Sequence, residues 1–144
     1  MASGDASTAE KILDNVLMTL TQYGMAETVT RDAMAAGLQD PQFDKFPFVW
    51  IRRGEEKVVE YEHGMSQRSE LTIILSCGVR SENAERQLEQ LIKTNRDALM
   101  DDIRRNNLAS MTYEDGITEP EFVEGFGLCD MRFKIQYQFT VGNA

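Results

Sequence analysis

The sequence predicts an α+β fold in which a long helix and an N-terminal helix pack on one face of a mostly antiparallel sheet. One observation is the strict alternation of apolar and polar residues over 128–141 (LCDMRFKIQYQFTV), the pattern of a long strand with one buried face. A second is the recurrence of apolar residues at three- and four-residue spacing over 9–23 and 82–106, which indicates two amphipathic helices. We expect these helices to cover the apolar face of the sheet.

The length and composition favour a single domain. A chain of 144 residues buries about two-thirds of its unfolded surface on folding and needs no disulfide. We expect one domain over 1–144, with 1–6 as a flexible tail. No apolar run approaches the ~20 residues that span a bilayer, and the first residues (MASGDASTAEK) lack the pattern of a secretion signal. We therefore expect a protein made and kept in the cytoplasm.

The net charge of the chain indicates which partners it does not bind, and the positions of its two cysteines indicate their redox state. Twenty-four acidic and 15 basic residues give a net charge of −9. Because this charge repels phosphate backbones and anionic membranes, we expect no specific nucleic-acid binding and no membrane binding. Cys77 and Cys129 fall on the apolar phase of predicted strands, and cytoplasmic thiols stay reduced, so we expect two buried free cysteines.

The first helix has clear start and stop signals. Ser7, followed three residues later by Glu10, has the form of a capping box. The helix should run from Ala9 to about Tyr23 and stop at Gly24. Its apolar stripe comprises Ile12, Leu13, Val16, Leu17, Leu20 and Tyr23.

The segment 25–46 is predicted to be a connection with little regular structure. Residues 30–32 (TRD) could cap a short helix over 33–36, and Gly37 stops any longer element. Such a segment would suit an adaptable interface.

Three strands are predicted next. Residues 46–51 (FPFVWI) are aromatic and β-branched, and Pro47 lies near the start, where a missing hydrogen-bond donor is tolerated. Residues 52–56 (RRGEE) are predicted to form a turn. The second and third strands are predicted at 57–62 and 71–80.

The polar segment between these two strands (HGMSQRS) is predicted to be the projecting tip of a hairpin. It has no evident partner in the core, so we expect it to contact a neighbouring protein. The candidate contact residues are His63, Gly64, Met65, Ser66, Gln67, Arg68 and Ser69.

Ser81 is predicted to cap the second helix, over 82–106, which would be a rod of about 37 Å. Acidic residues at its start and Arg104 and Arg105 at its end match the helix dipole, and we expect both arginines to be solvated. Its apolar stripe comprises Ala84, Leu88, Leu91, Ile92, Leu99, Met100 and Ile103. The acidic segment 111–126 is predicted to be a loop with one short strand at 122–126.

The residue types predict no catalytic, cofactor or metal site, and hence no enzyme. His63 is the only histidine, which removes a two-histidine metal site. The carboxylates of 114–124 do not have calcium-loop spacing, and residues 125–127 (GFG) lack the lysine and following helix of a phosphate loop. Neither cysteine has a basic residue nearby in sequence that would activate it.

The order of several segments, and their pattern of apolar, aromatic and charged residues, resemble those of one known protein family. These segments are FPFVWI at 46–51, ELTIILSCGVR at 70–80, SENAERQLEQLIKTNRDALMDDI at 81–103 and MRFKIQYQFTV at 131–141. Over about 8–141, the chain resembles the tail terminator, or tail completion, proteins of long-tailed bacteriophages.

The resemblance implies a non-enzymatic virion protein at the head–tail junction. Such proteins assemble as a homohexameric ring on the tail tube protein, end tube polymerisation and present their other face to the neck or connector protein. In contractile-tailed phages the ring also meets the sheath protein. The family carries no catalytic residues, so no position of this sequence inherits a site role from it.

Two alternatives stay open at this point. One is another phage head-to-tail adaptor or neck ring protein, which would also assemble as a ring. The other is a small α+β ligand-binding domain or hot-dog-type thioesterase, in which a long helix is wrapped by a sheet. That reading needs a polar group placed near the helix, and Asn95, on the apolar phase of the second helix, is the candidate.

Overall fold

A computed structural model describes residues 7–37, 40, 42–61 and 66–140 of the chain. The predicted α+β class is confirmed. The elements are α1 (Thr8–Tyr23), β1 (Thr28–Thr30), α2 (Ala33–Ala36), β2 (Phe48–Tyr61), β3 (Ser66–Arg80), α3 (Ala84–Met100), β4 (Met111–Ile117), β5 (Glu121–Val123) and β6 (Phe126–Thr140).

The sheet has the strand order β1-β2-β3-β6-β4. The short strand β5 pairs with the same edge of β6 as β4 does, but over different residues of β6. The short β1–β2 pairing is parallel and all the others are antiparallel. At the centre, β3 and β6 pair without a register shift from Ser66 opposite Thr140 to Arg80 opposite Phe126. This central pair sets the frame on which the helices and the remaining strands are placed.

The predicted core face of the sheet is confirmed. Its buried residues on the central strands are Leu71, Ile73, Leu75, Cys77, Val79, Cys129, Met131, Phe133, Ile135 and Tyr137. Helices α1 and α3 pack on this face with buried residues that include Ile12, Leu13, Leu88 and Leu91. The side chain of Phe139 and all of Val141, the last members of the predicted stripe, lie outside the described part of the chain.

The start and end of α1 also follow the prediction. Ser7 Oγ accepts the N–H of Glu10 at 3.1 Å, which is the expected cap. At the other end, the N–H of Gly24 donates to the Leu20 carbonyl. A Cβ at position 24 would lie only 2.4 Å from that carbonyl oxygen, so glycine is needed where the helix stops.

The predicted turn over 52–56 is wrong, because β2 runs as one strand through this segment. The pairing with β3 shifts register between Arg53 and Glu56, which is the signature of a β-bulge. A bulge accommodates the extra residue without ending the strand. The charged RRGEE sequence therefore marks a strand with an exposed edge and not a reversal of the chain.

The second helix is shorter than predicted, because α3 ends at Met100 and not near residue 106. Met100 and Ile103, predicted to belong to its apolar stripe, are exposed. Ser81 does not cap the helix, since its Oγ accepts the N–H of Asn83, which precedes the first helical residue. Residues 105–107 all adopt positive φ, a conformation that ends helical winding.

Arg105 is buried, contrary to the expectation that it is solvated. Its guanidinium turns back onto the end of α3, where Nη2 donates to the Leu99 carbonyl at 2.5 Å and Nε donates to the Asp102 carbonyl at 2.8 Å. Leu99 lies in the last turn of α3, where an α-helix leaves its carbonyls without intrahelical partners, and Asp102 lies just beyond the helix. The side chain therefore closes the end of the helix.

The remaining differences lie in the segments with few apolar residues. β1 was not predicted, although the short helix over 33–36 is confirmed as α2. The acidic segment contains β4 as well as the short strand β5 at Glu121–Val123. β6 begins at Phe126, two residues before the predicted start.

Substitutions at buried and exposed positions should distinguish the core face of β6 from its opposite face. Phe133→Ala and Leu88→Ala each remove a fully packed side chain, so each should lower the free energy of unfolding by about 2–5 kcal/mol. Arg132→Ala, on the opposite face and exposed, should change it by less than about 0.5 kcal/mol. Urea unfolding measures the three values, and similar small losses in all three would contradict the assigned faces.

Arg105 and its neighbour Arg104 form a matched pair for testing the buried guanidinium. Arg105→Ala removes the guanidinium donor from the buried Leu99 carbonyl and the packing of a fully buried side chain, so it should lower the free energy of unfolding by about 2–4 kcal/mol. Arg105→Lys should restore little of this, because an ammonium lacks the planar fork of donors. Arg104→Ala, at an exposed position, is the control in the same urea experiment. Equal effects at 104 and 105 would show that the contact stabilises nothing.

Candidate interaction surface

The face of the sheet opposite α1 and α3 carries a groove of about 510 Å³. We call it the sheet-face groove. Six of the residues that line it come from β2, β3 and β6 and have their side chains on this face: Phe48, Trp50, Arg52, Ser76, Leu128 and Asp130. They alternate along their strands with the buried core residues, so the same two-residue period that builds the core also builds this surface.

A polar cluster crosses the floor of the groove. Trp50, Ser76 and Asp130 lie side by side on β2, β3 and β6. Ser76 Oγ donates to Asp130 Oδ1 at 2.8 Å. Arg52 donates through Nε to Ser76 Oγ at 3.0 Å and through Nη2 to Asp130 Oδ2 at 3.1 Å. Its guanidinium also lies 5.0 Å from the centre of the Trp50 ring, within cation–π range.

This cluster is suited to recognition. The side chains of Arg52 and Asp130 are 36% and 42% exposed, so their ion pair contributes at most about 1 kcal/mol to stability. Ser76 Oγ donates to the Asp130 carboxylate and accepts from the Arg52 guanidinium, and its partner is not a neutral base that would activate it as a nucleophile. The two hydrogen bonds hold the hydroxyl group in one orientation. An aromatic floor with one oriented polar cluster is typical of a binding surface.

A cluster of four phenylalanine rings adjoins the groove through Phe48, which lines it. Phe43, Phe46, Phe48 and Phe126 pack with ring centres 5.3–5.9 Å apart. The Phe48 ring lies directly on Gly78, where a Cβ would come within 2.1 Å of it. The close spacing of the phenylalanines at 43, 46 and 48 is the feature of the sequence that could have indicated an aromatic cluster. Their packing with Phe126 depends on the fold.

A second polar cluster lies further along the same face. Glu70 is nearly buried and accepts hydrogen bonds from Tyr113 Oη at 2.9 Å and Gln136 Nε2 at 3.1 Å. Burial raises the pKa of the Glu70 carboxyl, but these hydrogen bonds and the charge of Lys134, 3.4 Å away, outweigh it and leave the pKa lowered. Glu70 therefore stays ionised and links β3, β6 and β4.

The two outer edges of the sheet differ from one another. β2 pairs with β1 only over Phe48–Trp50, so in the described chain no strand pairs with its outer edge from Ile51 onward. At the other side, β4 is the last strand in the order and carries the exposed side chains of Met111 and Ile117. Such edges offer backbone donors and acceptors to another chain.

The predicted hairpin tip is too long by four residues. Ser66, Gln67, Arg68 and Ser69 belong to β3 and pair with β6, and Ser69 is buried. His63, Gly64 and Met65 lie outside the described residues. The expected contact of this segment with a neighbouring protein stays a prediction.

The predicted state of the cysteines is confirmed, since both are free and buried. Asn95 is also fully buried, and its Nδ2 lies 3.4 Å from Cys77 Sγ and 3.9 Å from Met131 Sδ. The amide that the thioesterase alternative requires therefore faces sulfur atoms in the core. This is the position of a structural amide.

The described residues also bear on metal binding and on membrane insertion. Within that part of the chain, no group of three or more histidine, cysteine, aspartate or glutamate residues is placed to hold a metal ion. No helix there is long and apolar enough to cross a membrane. In comparisons with known proteins, no family model matches the chain. No curated protein matches its sequence either.

The contact between Gly78 and the Phe48 ring gives a direct test of the groove. Gly78→Ala should push this ring away and lower the free energy of unfolding by about 1–3 kcal/mol. It should also shift the emission of Trp50, the only tryptophan, which lies in the same groove. Adding Phe48→Leu should recover part of the stability, because the smaller side chain makes room. A single substitution with no effect on either signal would contradict the contact.

Proposed function

We propose that this protein is a structural virion protein that forms a ring on the tail tube of a long-tailed bacteriophage. The ring would end tube polymerisation and provide the joining surface for the neck or connector protein. The observation that carries the proposal is that the described part of the chain leaves two unlike edges unpaired, β2 from Ile51 onward and β4, on opposite sides of one sheet. Contact between unlike surfaces of neighbouring copies is the type of contact that closes a ring.

The edges suit this role in their chemistry. Strand addition at an edge supplies backbone hydrogen bonds, and neighbouring side chains supply specificity. β4 presents Met111 and Ile117 at 45% and 42% exposure, so the contact would also bury apolar surface. In a head-to-tail ring every copy uses both edges, and no edge is left open.

Irregular pairing supports a closed ring over unlimited growth. β2 has register shifts between Arg53 and Glu56 and again between Val58 and Glu60. β4 has one between Glu114 and Gly116. Bulges bend and twist an edge strand, which disfavours flat edge-to-edge stacking and allows only a partner of matching shape.

The remaining surfaces are available for other virion proteins. The sheet-face groove lies on a face of the sheet and not on an edge, so it would stay accessible when neighbours pair. We assign it, together with the tip residues His63, Gly64 and Met65, to contacts with the tail tube protein, the neck or connector protein or, in a contractile tail, the sheath protein. Contacts repeated around a ring act together, so modest affinity per copy gives a tight cap.

The net charge supports the same role. A chain with a net charge of −9 gives phosphate groups no general attraction. DNA leaving the head could then slide through the ring without binding to it. A head-to-tail adaptor would share the ring and the charge, and the difference lies in whether the protein limits tube length.

Lysine substitutions on the β4 edge test ring closure. The double variant Met111→Lys and Ile117→Lys adds charge to an exposed edge, so it should leave the monomer folded and abolish ring formation. Met18→Lys is a matched control, because Met18 is 60% exposed but lies on α1. Light scattering measures the mass in solution, and negative-stain images show the rings. Rings from the edge variant that match those of the control would remove β4 from the contact.

Assembly in the absence of the protein tests the function itself. Without a cap, tail tubes should exceed their normal length and heads and tails should stay unjoined, and electron micrographs of lysates measure both. Normal-length tubes with unjoined heads would favour the adaptor reading. Normal tubes joined to heads would rule out both readings, and hydrolysis of an acyl thioester by the purified protein would favour an enzyme.

A further inference from the structure

Cys77 and Cys129 are direct partners in the central strand pair. Cys77 of β3 lies opposite Cys129 of β6, and both side chains point to the core face. Residues opposite one another in antiparallel strands have Cα atoms about 4.5–5.5 Å apart. Disulfides span Cα separations of about 4.4–6.8 Å, so the backbone already lies within bridging distance.

The two thiols are cross-strand neighbours and are not equivalent. The Cys77 thiol donates a hydrogen bond to the Leu75 carbonyl at 3.5 Å, and the neighbouring Cys129 thiol and burial raise the pKa of Cys77. Interaction with Cys77 lowers the pKa of Cys129 despite its burial. Asn95 Nδ2, 3.4 Å from Cys77 Sγ, helps to hold the pair in place. Cys129 is therefore the thiol that ionises first.

We propose that Cys77 and Cys129 form an oxidisable dithiol, which a peroxide converts into a disulfide joining β3 to β6. The proposal does not depend on the ring or on the phage tail. In a reducing compartment the pair stays as two thiols, and exposure to an oxidising medium would allow the bridge.

The chemistry balances in two steps. The Cys129 thiolate attacks one oxygen of hydrogen peroxide, the O–O bond breaks, and a sulfenic acid and one water form once the leaving hydroxide is protonated. The Cys77 sulfur then attacks the Cys129 sulfur, the S–O bond breaks, and the hydroxyl group leaves as a second water with the Cys77 proton. Two thiols have lost two electrons to the peroxide, and one S–S bond has formed.

The bridge would have a mechanical consequence. It closes the loop that contains α3, β4 and β5, so it restricts the unfolded chain and stabilises the fold. It also ties together the two strands on which both faces of the sheet are built. Oxidation would thus fix the central pair covalently after the chain has folded.

The test compares the reduced and peroxide-treated full-length protein. We expect the treated protein to lose about 2 Da, as two hydrogens leave, and to yield one peptide pair linked through Cys77 and Cys129. Its unfolding midpoint should rise by about 5 °C or more, and a thiol reductant should reverse both changes.

Variants and other products make the test decisive. Cys77→Ala and Cys129→Ala should each prevent the mass loss and the rise in midpoint, with Cys129→Ser as the substitute if an alanine variant does not fold. The comparison of wild-type protein with and without reductant needs no variant at all. Unchanged thiols after peroxide treatment of the folded protein, separate oxygen adducts on each cysteine, or bridges only between molecules would overturn the proposal.

Discussion

The uninterrupted pairing of β3 with β6 is the constraint on which the rest of the structure depends. Each strand has 15 residues, and the register holds from one end to the other. Because side chains alternate between faces, this one register decides which residues meet the helices and which form the sheet-face groove. It places Cys77 opposite Cys129 on one face and Ser76 opposite Asp130 on the other. A slip of one residue would exchange the core and the groove.

The second determinant is the end of α3. The apolar spacing continues beyond Met100, but residues 105–107 adopt positive φ and Arg105 returns to the last carbonyls. The chain then enters β4, and Thr112 Oγ1 donates to the Ile103 carbonyl at 2.7 Å. By ending the helix early, this turn provides the residues for an additional strand. That strand forms one of the two open edges.

The resulting molecule has three kinds of surface with different partners available to them. One face of the sheet is covered by its own helices, whereas the other carries the groove with Trp50 and the Arg52–Asp130 pair. The third kind of surface is the pair of unlike sheet edges, β2 from Ile51 onward and β4. A protein that must bind copies of itself in a ring and different proteins above and below that ring needs surfaces separated in this way. The proposed cap function uses all of them.

The sequence by itself determined the elements with strong periodicity. The alternation in β6, the spacing in α1 and the capping pair of Ser7 and Glu10 are local signals, and the structure follows them because burying each apolar stripe outweighs other local preferences. The α+β class, the core face and the buried thiols follow from the same patterns. None of these required knowledge of which strands are neighbours.

Only the tertiary structure decided the features that depend on pairing. The RRGEE segment reads as a turn by composition, yet β3 holds it as a strand and a bulge absorbs the extra residue. The same holds for β4, whose acidic residues find Arg96 and Lys134 as partners from other elements. Arg105 is charged and looks solvated, but the fold brings carbonyls to its donors. The groove, the open edges and the cysteine pair consist of residues far apart in sequence, so their juxtaposition depends on strand order and register, which local periodicity does not encode.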